Sequence, residues 1–286
     1  MEKIDRLVWA DGFAFNCHGA RVGIRVNEPA VLRQIPAHLP PGWKRVSSPV
    51  VDNLYSFVVG GDVPNSRVKR FHLLYAGSGQ LARSLKLEDV FDALEADLDY
   101  RVAVGSRDRL FVRAGVVGYR GRAVVILGPH GGGRSTLVAA MVKAGATYYS
   151  DEYAVFDTRG RVHPYPRPLA LPGENGAPPS RRSAKRLGGR SGRAPLPLGL
   201  IVVTEHKSGA RWRPEALSPG QAVLALMEHT VPARIRPAFA LEVLRHAVAD
   251  PVALRGWRGA AAQVAPALLR RLEQLSGKRL GQSTVG

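Results

Sequence analysis

The stretch from Ala123 to Thr136 leaves this chain few ways to fold. An apolar run, Ala123 to Leu127, meets Gly128-Pro-His-Gly-Gly-Gly133-Arg134-Ser135-Thr136, and a helical segment from Ser135 to Ala144 follows, with Gly145 as its C-cap. The spacing is G-x-x-x-x-G-[basic]-[ST] between a strand and a helix, the pattern of a phosphate loop. Glycines at Gly128, Gly131, Gly132 and Gly133 let the backbone take positive φ and bring its N–H groups to an anion with no Cβ in the way. The first turn of the helix adds unsatisfied amides and its dipole, about 0.3–2 kcal/mol per well-placed charge. Ser135 then offers a hydroxyl to Mg²⁺, and Thr136 completes the loop. Arg134 fills the basic position with a planar, bidentate guanidinium where lysine is usual.

Two acids follow one short strand later, in Tyr148-Tyr149-Ser150-Asp151-Glu152. Phosphoryl transfer to a hydroxyl needs a carboxylate to take the acceptor's proton, and a carboxylate to hold Mg²⁺. Asp151 is assigned the base role with a share in the metal, and Glu152 the metal or supporting role. Adjacent side chains of an extended strand point to opposite faces, so both can serve only if the chain turns at Ser150 to Glu152.

The whole chain sets the frame. Its 286 residues, 45% of them hydrophobic, suffice for one large domain or two modest ones. A lone Cys17 excludes an internal disulfide and multi-cysteine zinc patterns; with a charged start and no long apolar run, the expectation is a cytoplasmic protein without a membrane segment. The formal charge of +18 attracts polyanions but does not choose among them. The expected division is an α+β region over 1–108, with strands at Leu7 to Val26, Leu54 to Val59 and Arg70 to Tyr75. Its helix buries Leu87, Val90, Phe91, Leu94 and Leu98 and leaves Glu88, Asp92, Glu95 and Asp99 mostly solvated. Residues 109–286 form a nucleotide-binding domain. Val112 to Val117 and Ala123 to Leu127 make a hairpin, 173–197 a basic loop, Leu198 to Thr204 a returning strand, and helices follow at Gly220 to Glu228, Ala238 to Val248 and along Val264, Leu268, Leu272 and Leu275. Fraying is expected after Gly277.

Taken in order, Phe111 to Val117, Gly121 to Gly128, the glycine loop, Ala144 to Asp157 and Gly160 to Leu169 resemble the catalytic domain of HPr kinase/phosphorylase and its relatives. The resemblance covers residues 110–204. It implies an α/β fold, a kinase-like mixed sheet related to ATP-dependent phosphoenolpyruvate carboxykinase, with ATP and Mg²⁺ as cofactors and a serine hydroxyl as acceptor. In that family the loop base matches Arg134, the metal-side hydroxyl Ser135, and the acidic pair Asp151 and Glu152. The chain departs from it at three positions: Arg134 stands for lysine, Glu152 for a second aspartate, and Arg113 for a histidine on the strand before the loop.

Three functions compete. The first is an ATP-dependent kinase acting on a serine or other hydroxyl of a protein, peptide or small molecule; the second, motivated by Arg134 and Arg113, is a non-catalytic nucleotide-binding regulator. The third is a basic nucleic-acid-binding protein, and it ranks last because aromatic residues do not accompany the basic run. A homo-oligomer is left open. Arginines at 181–193, Arg234 or Arg236 are candidates to stabilise a transferring phosphate, Glu205 and His206 to sit at the site edge, and His163 to hold a turn.

Overall fold

The computed structural model describes residues 7–61, 70–173 and 180–282, with side chains as far as 275. It divides into two compact units, Met1–Asp108 and Arg109–Gly286.

The first unit is a six-stranded sheet with one long helix. Strands β1 (Asp11–Cys17) and β2 (Ala20–Val26) form a hairpin whose turn, His18-Gly19, has positive φ at both residues, the tight turn that matches strand twist. A short helix α1 (Pro29–Leu32) and a 3₁₀ turn (Ile35–His38) lead to β3 (Lys44–Val46), β4 (Asn53–Val58), β5 (His72–Ala76) and β6 (Gly79–Ser84), giving the order β3-β1-β2-β4-β5-β6. Helix α2 (Leu87–Gly105) packs on β2, β5 and β6 through Val90, Phe91, Leu94 and Leu98, the stripe its spacing predicts, while Leu87 is only half-buried. Two of its acids depart from expectation. Glu95 and Asp99 are buried, and Glu95 Oε1 lies 2.7 Å from Nδ1 of His38, whose ring stacks on Phe91. A histidine held flat against the apolar stripe thus brings a carboxylate inside.

The second unit is built in layers around a mixed sheet. Strands β7 (Leu110–Arg113), β8 (Gly115–Tyr119) and β9 (Arg122–Leu127) come first, and the β8–β9 hairpin turns at Arg120 and Gly121 with φ of 49° and 74°. The apolar run expected to be one strand breaks at Ala114, because the chain passes there from one sheet to another. After the glycine loop come α3 (Arg134–Lys143), β10 (Thr147–Ser150), β11 (Tyr153–Phe156), β12 (Val162–His163), β13 (Leu169–Leu171) and β14 (Ser180–Arg182). A 3₁₀ turn (Ala184–Leu187), β15 (Leu198–His206), β16 (Glu215–Leu217), α4 (Pro219–Glu228), α5 (Pro237–Ala247), β17 (Val252–Arg258) and α6 (Ala261–Gln282) complete it. The basic segment is therefore more ordered than a plain loop, although 174–179 lies outside the described residues. The helix α6 continues past Gly277, where fraying was expected.

The main sheet runs β10-β8-β9-β15-β17-β16, with β9, β15 and β17 parallel and the outer pairings antiparallel. Alternation along β9 sends Val124 and Ile126 to one core, with α3 and α6, and Ala123, Val125 and Leu127 to the other, with α4, α5 and the small sheet β12-β11-β7. Strands covered on both faces read as continuous apolar runs, as β9 and β15 do. Gly115 on β8 faces α3, where an added Cβ would stand 2.6 Å from Val138 Cγ2. Val138 is β-branched and stiff. Gly115→Ala should therefore cost about 1–3 kcal/mol in urea unfolding; an unchanged midpoint would show that α3 can move away from the sheet freely.

Candidate functional site

The parallel strands β9, β15 and β17 all end at the same edge, and the glycine loop follows β9 there. Ligands of open α/β sheets bind at such carboxyl ends, where backbone polar groups are released from the ladder. Gly128 presses on the carbonyl of Thr204 at the end of β15, so closely that a Cβ would collide with it. Gly131 and Gly133 have φ of 77° and 79°, the left-handed region in which a side chain is strained.

Gly133 is the N-cap of α3 and supplies no capping side chain. Its carbonyl accepts from the Leu137 amide, and the Gly132 amide donates to Pro129 O. The amides of Gly133, Arg134, Ser135 and Thr136 have no acceptor among the described residues. Helix N-termini satisfy such groups with a side-chain cap, water or a ligand. Four donors at one helix end, next to a left-handed glycine, make a nest for an anion.

The acidic turn lies beside this nest. The chain does turn at Ser150 to Glu152: Ser150 Oγ accepts from the amides of Glu152 and Tyr153, and the strand changes sheets, from β10 to β11. The turn sends the two acids to different environments. Asp151 is 8% exposed and faces the Ser135 hydroxyl. Burial raises its pKa above the ordinary carboxylate value, against contacts from Tyr148, Ser135 and the Ala170 amide that favour the anion. Tyr148 Oη lies 2.9 Å from Asp151 Oδ1 and 2.6 Å from the Arg167 carbonyl, so its single proton serves one of them at a time. Glu152 is half-exposed and pairs with Arg113 at 3.7 Å.

Arg134 makes no side-chain hydrogen bond or ion pair among the described residues. Burial pulls its pKa down, and the nearby Glu152 and Asp151 oppose that while Arg113 adds to it. His229, which caps α4 and whose carbonyl accepts from the Arg113 amide, is lowered by burial and by the Arg134 charge. The two cations and two carboxylates thus share one electrostatic neighbourhood. Comparison with protein-family models gives no match, and comparison with curated proteins gives none.

Among the expected site residues, the structure brings together the glycine loop, Ser135 and Asp151, and puts Arg134 in the field of both acids. Thr136 faces a cleft of ≈ 750 Å³ on the α3 side of the loop, which Lys143, Arg182, His206 and Arg258 also line. Arg234 and Arg236 are not part of it, and Arg236 lies over Phe239. His163 holds a turn with Asp157, 2.9 Å away. Two neighbours escaped the sequence reading. His229 carried only the weak signal of a histidine at a helix end, and Arg258 none, being one of 41 basic residues. Arg258 is 2% exposed and donates from Nη2 to the carbonyls of Gly132 and Gly133, at 3.3 and 2.7 Å.

The raised pKa of Asp151 carries a stability consequence. Folding disfavours its charged form, so its contribution is fully favourable below the unfolded carboxylate value, about 3.9, and is lost as pH rises through the higher folded value. Asp151→Asn should therefore melt higher than the wild type at pH 7, with each 1 kcal/mol worth roughly 2–4 °C. The gap should close toward about pH 4. A lower melting temperature at pH 7 would mean that the ionised carboxylate stabilises the empty site.

Proposed function

We propose that this protein is an ATP- and Mg²⁺-dependent kinase that transfers the terminal phosphate to a serine or other hydroxyl, on an α/β fold of the kind found in HPr kinase and phosphoenolpyruvate carboxykinase. The observation that carries the reading is the set of unpartnered amides from Gly133 to Thr136 standing beside a buried carboxylate. A nest of amides selects a phosphate, and a carboxylate next to it can take a proton from an incoming hydroxyl. Phosphoryl transfer asks little else of the protein beyond placing its charges.

Mg²⁺ keeps several waters and takes one or two carboxylates plus phosphate oxygens. The Ser135 hydroxyl facing the Asp151 carboxylate suits it, being a pair of hard oxygen donors at the nest. When bound, the ion supplies charge neutralisation between phosphate oxygens. Asp151, buried beside the nest, serves as proton acceptor for the incoming hydroxyl. Glu152, half-exposed and 3.7 Å from Arg113, acts with it on the charge around Arg134, the acid favouring the cation and the arginine opposing it.

A second reading rests on that same ion pair. If Arg113 keeps Glu152 from metal and Arg134 fits phosphate poorly, the chain binds nucleotide without turning it over and regulates a partner. Two measurements separate the outcomes. Calorimetric titration with ATP and Mg²⁺ should give binding by the wild type and none by Gly133→Asp, whose carboxylate repels the phosphates. Wild type without heat at several temperatures ends both readings. In single turnover with radiolabelled ATP and water as the acceptor, Asp151→Asn should slow release of the terminal phosphate by about 10²- to 10⁴-fold. Binding with no transfer to water or to serine-bearing peptides supplied with the nucleotide favours the regulator, and an unchanged rate in the variant removes Asp151 from the base role.

A further inference from the structure

Arg258, at the end of β17, is among the described residues the largest side chain buried to this degree, and it has no carboxylate partner among them. Its guanidinium donates only to carbonyls: Nη1 to Gly259 at 3.1 Å, and Nη2 to Gly132 and Gly133. Its Nε is buried with no acceptor. A guanidinium stays protonated at any accessible pH, so this is a buried charge whose compensation is incomplete. It also lines the cleft beside the loop, together with Lys143, Arg182 and His206.

The hydrogen bonds have a geometric effect on the loop. The Gly132 carbonyl belongs to the same peptide group as the Gly133 amide, and the Gly133 carbonyl to the same group as the Arg134 amide. No cis peptide bond is present among the described residues. In a trans peptide the C=O and N–H point in opposite directions. Drawing the Gly132 carbonyl toward Arg258 therefore turns the Gly133 amide away from it, while the Gly133 carbonyl, which also accepts from the Leu137 amide of α3, fixes the Arg134 amide jointly with the helix. The carbonyl dipoles that would repel an anion are at the same time neutralised by a positive charge. An added Cβ at Gly133 would stand 2.5 Å from Nη2, so the glycine is required by this contact as well as by its φ.

We propose that Arg258 is the positioning residue of the anion nest: it orients the Gly133 amide, shares with α3 in orienting that of Arg134, and supplies from behind the loop the cationic charge that the phosphates of a nucleotide complement. The division of labour is then specific. Arg134 stands in the field of Asp151 and Glu152 on the acceptor side, and Arg258 carries the charge that selects the phosphate. The inference rests on the phosphate-binding reading and extends it to a residue outside the glycine loop and the acidic turn.

The test is ADP·Mg²⁺ titration of the wild type, Arg258→Met and Arg258→Lys, with melting temperature as the check on folding. Methionine keeps much of the volume but neither orients the peptides nor supplies charge, and should weaken ADP by about 10-fold or more. Lysine keeps the charge but not the planar fork, and should recover part of that loss. A variant lacking the charge that binds within twofold of wild type overturns the proposal. If methionine prevents folding, full wild-type affinity in the lysine variant overturns it equally. A measurement on the wild type needs neither variant: the Arg258 Nε–H signal should shift when ADP·Mg²⁺ is added, and a signal that stays put while ADP binds contradicts the role. Absence of ADP binding by the wild type instead overturns the phosphate-binding reading on which the inference stands.

Discussion

Every α-helix begins with amide groups that have no partner within it, and how α3 leaves them decides the character of the second unit. A serine or aspartate at the N-cap would have satisfied one of them with its own side chain. Gly133 cannot, and its left-handed φ turns the chain so that successive amides point into one space. The surroundings hold that arrangement. Gly128 is pinned against β15, Gly132 closes a turn on Pro129, and Arg258 ties two loop carbonyls from β17. Gly133, Arg134 and Ser135 are half-buried and Thr136 is exposed, so the four donors are left open to solvent or to a ligand.

The parallel centre of the sheet makes the arrangement possible. Because β9, β15 and β17 run in one direction, the loop, His206 and Arg258 arrive at one edge although they lie up to about 130 residues apart in sequence. The antiparallel strands add the acids. β10 pairs with β8 and ends at Ser150, whose hydroxyl folds the next two residues back. That turn separates neighbours in sequence into a buried carboxylate near the loop hydroxyl and a half-exposed one against Arg113. One short hydroxyl therefore sets two different electrostatic roles.

What could be read from the sequence was what local chemistry fixes. The strand, glycine loop and helix from Ala123 onward were legible because glycine density and apolar alternation act within a few residues, and α3 begins only one residue earlier than expected. Helices α4 and α5 were legible for the same reason, starting at Pro219 and Pro237. The break at Ala114 was not, since nothing local marks a chain crossing between sheets. Nor was β17, where Gly256 and two arginines interrupt the apolar pattern; its extended form comes from pairing with β15 fifty residues away. The three-residue β16 depends in turn on β17. Arg258 escaped because a buried arginine and a solvated one look alike until the fold closes over one of them. Likewise, Glu95 and Asp99 belong to a helix whose periodicity was right, and only the His38 ring shows why the burial extends to an acid.

A crystal structure of the protein with a non-hydrolysable ATP analogue and Mg²⁺ tests the central claim most directly. The account predicts a phosphate whose oxygens lie about 3 Å from the amides of Gly133, Arg134, Ser135 and Thr136, with the Asp151 carboxylate on the open side of that phosphate. An analogue bound elsewhere, or a loop whose four amides remain unoccupied at saturating nucleotide, would contradict it.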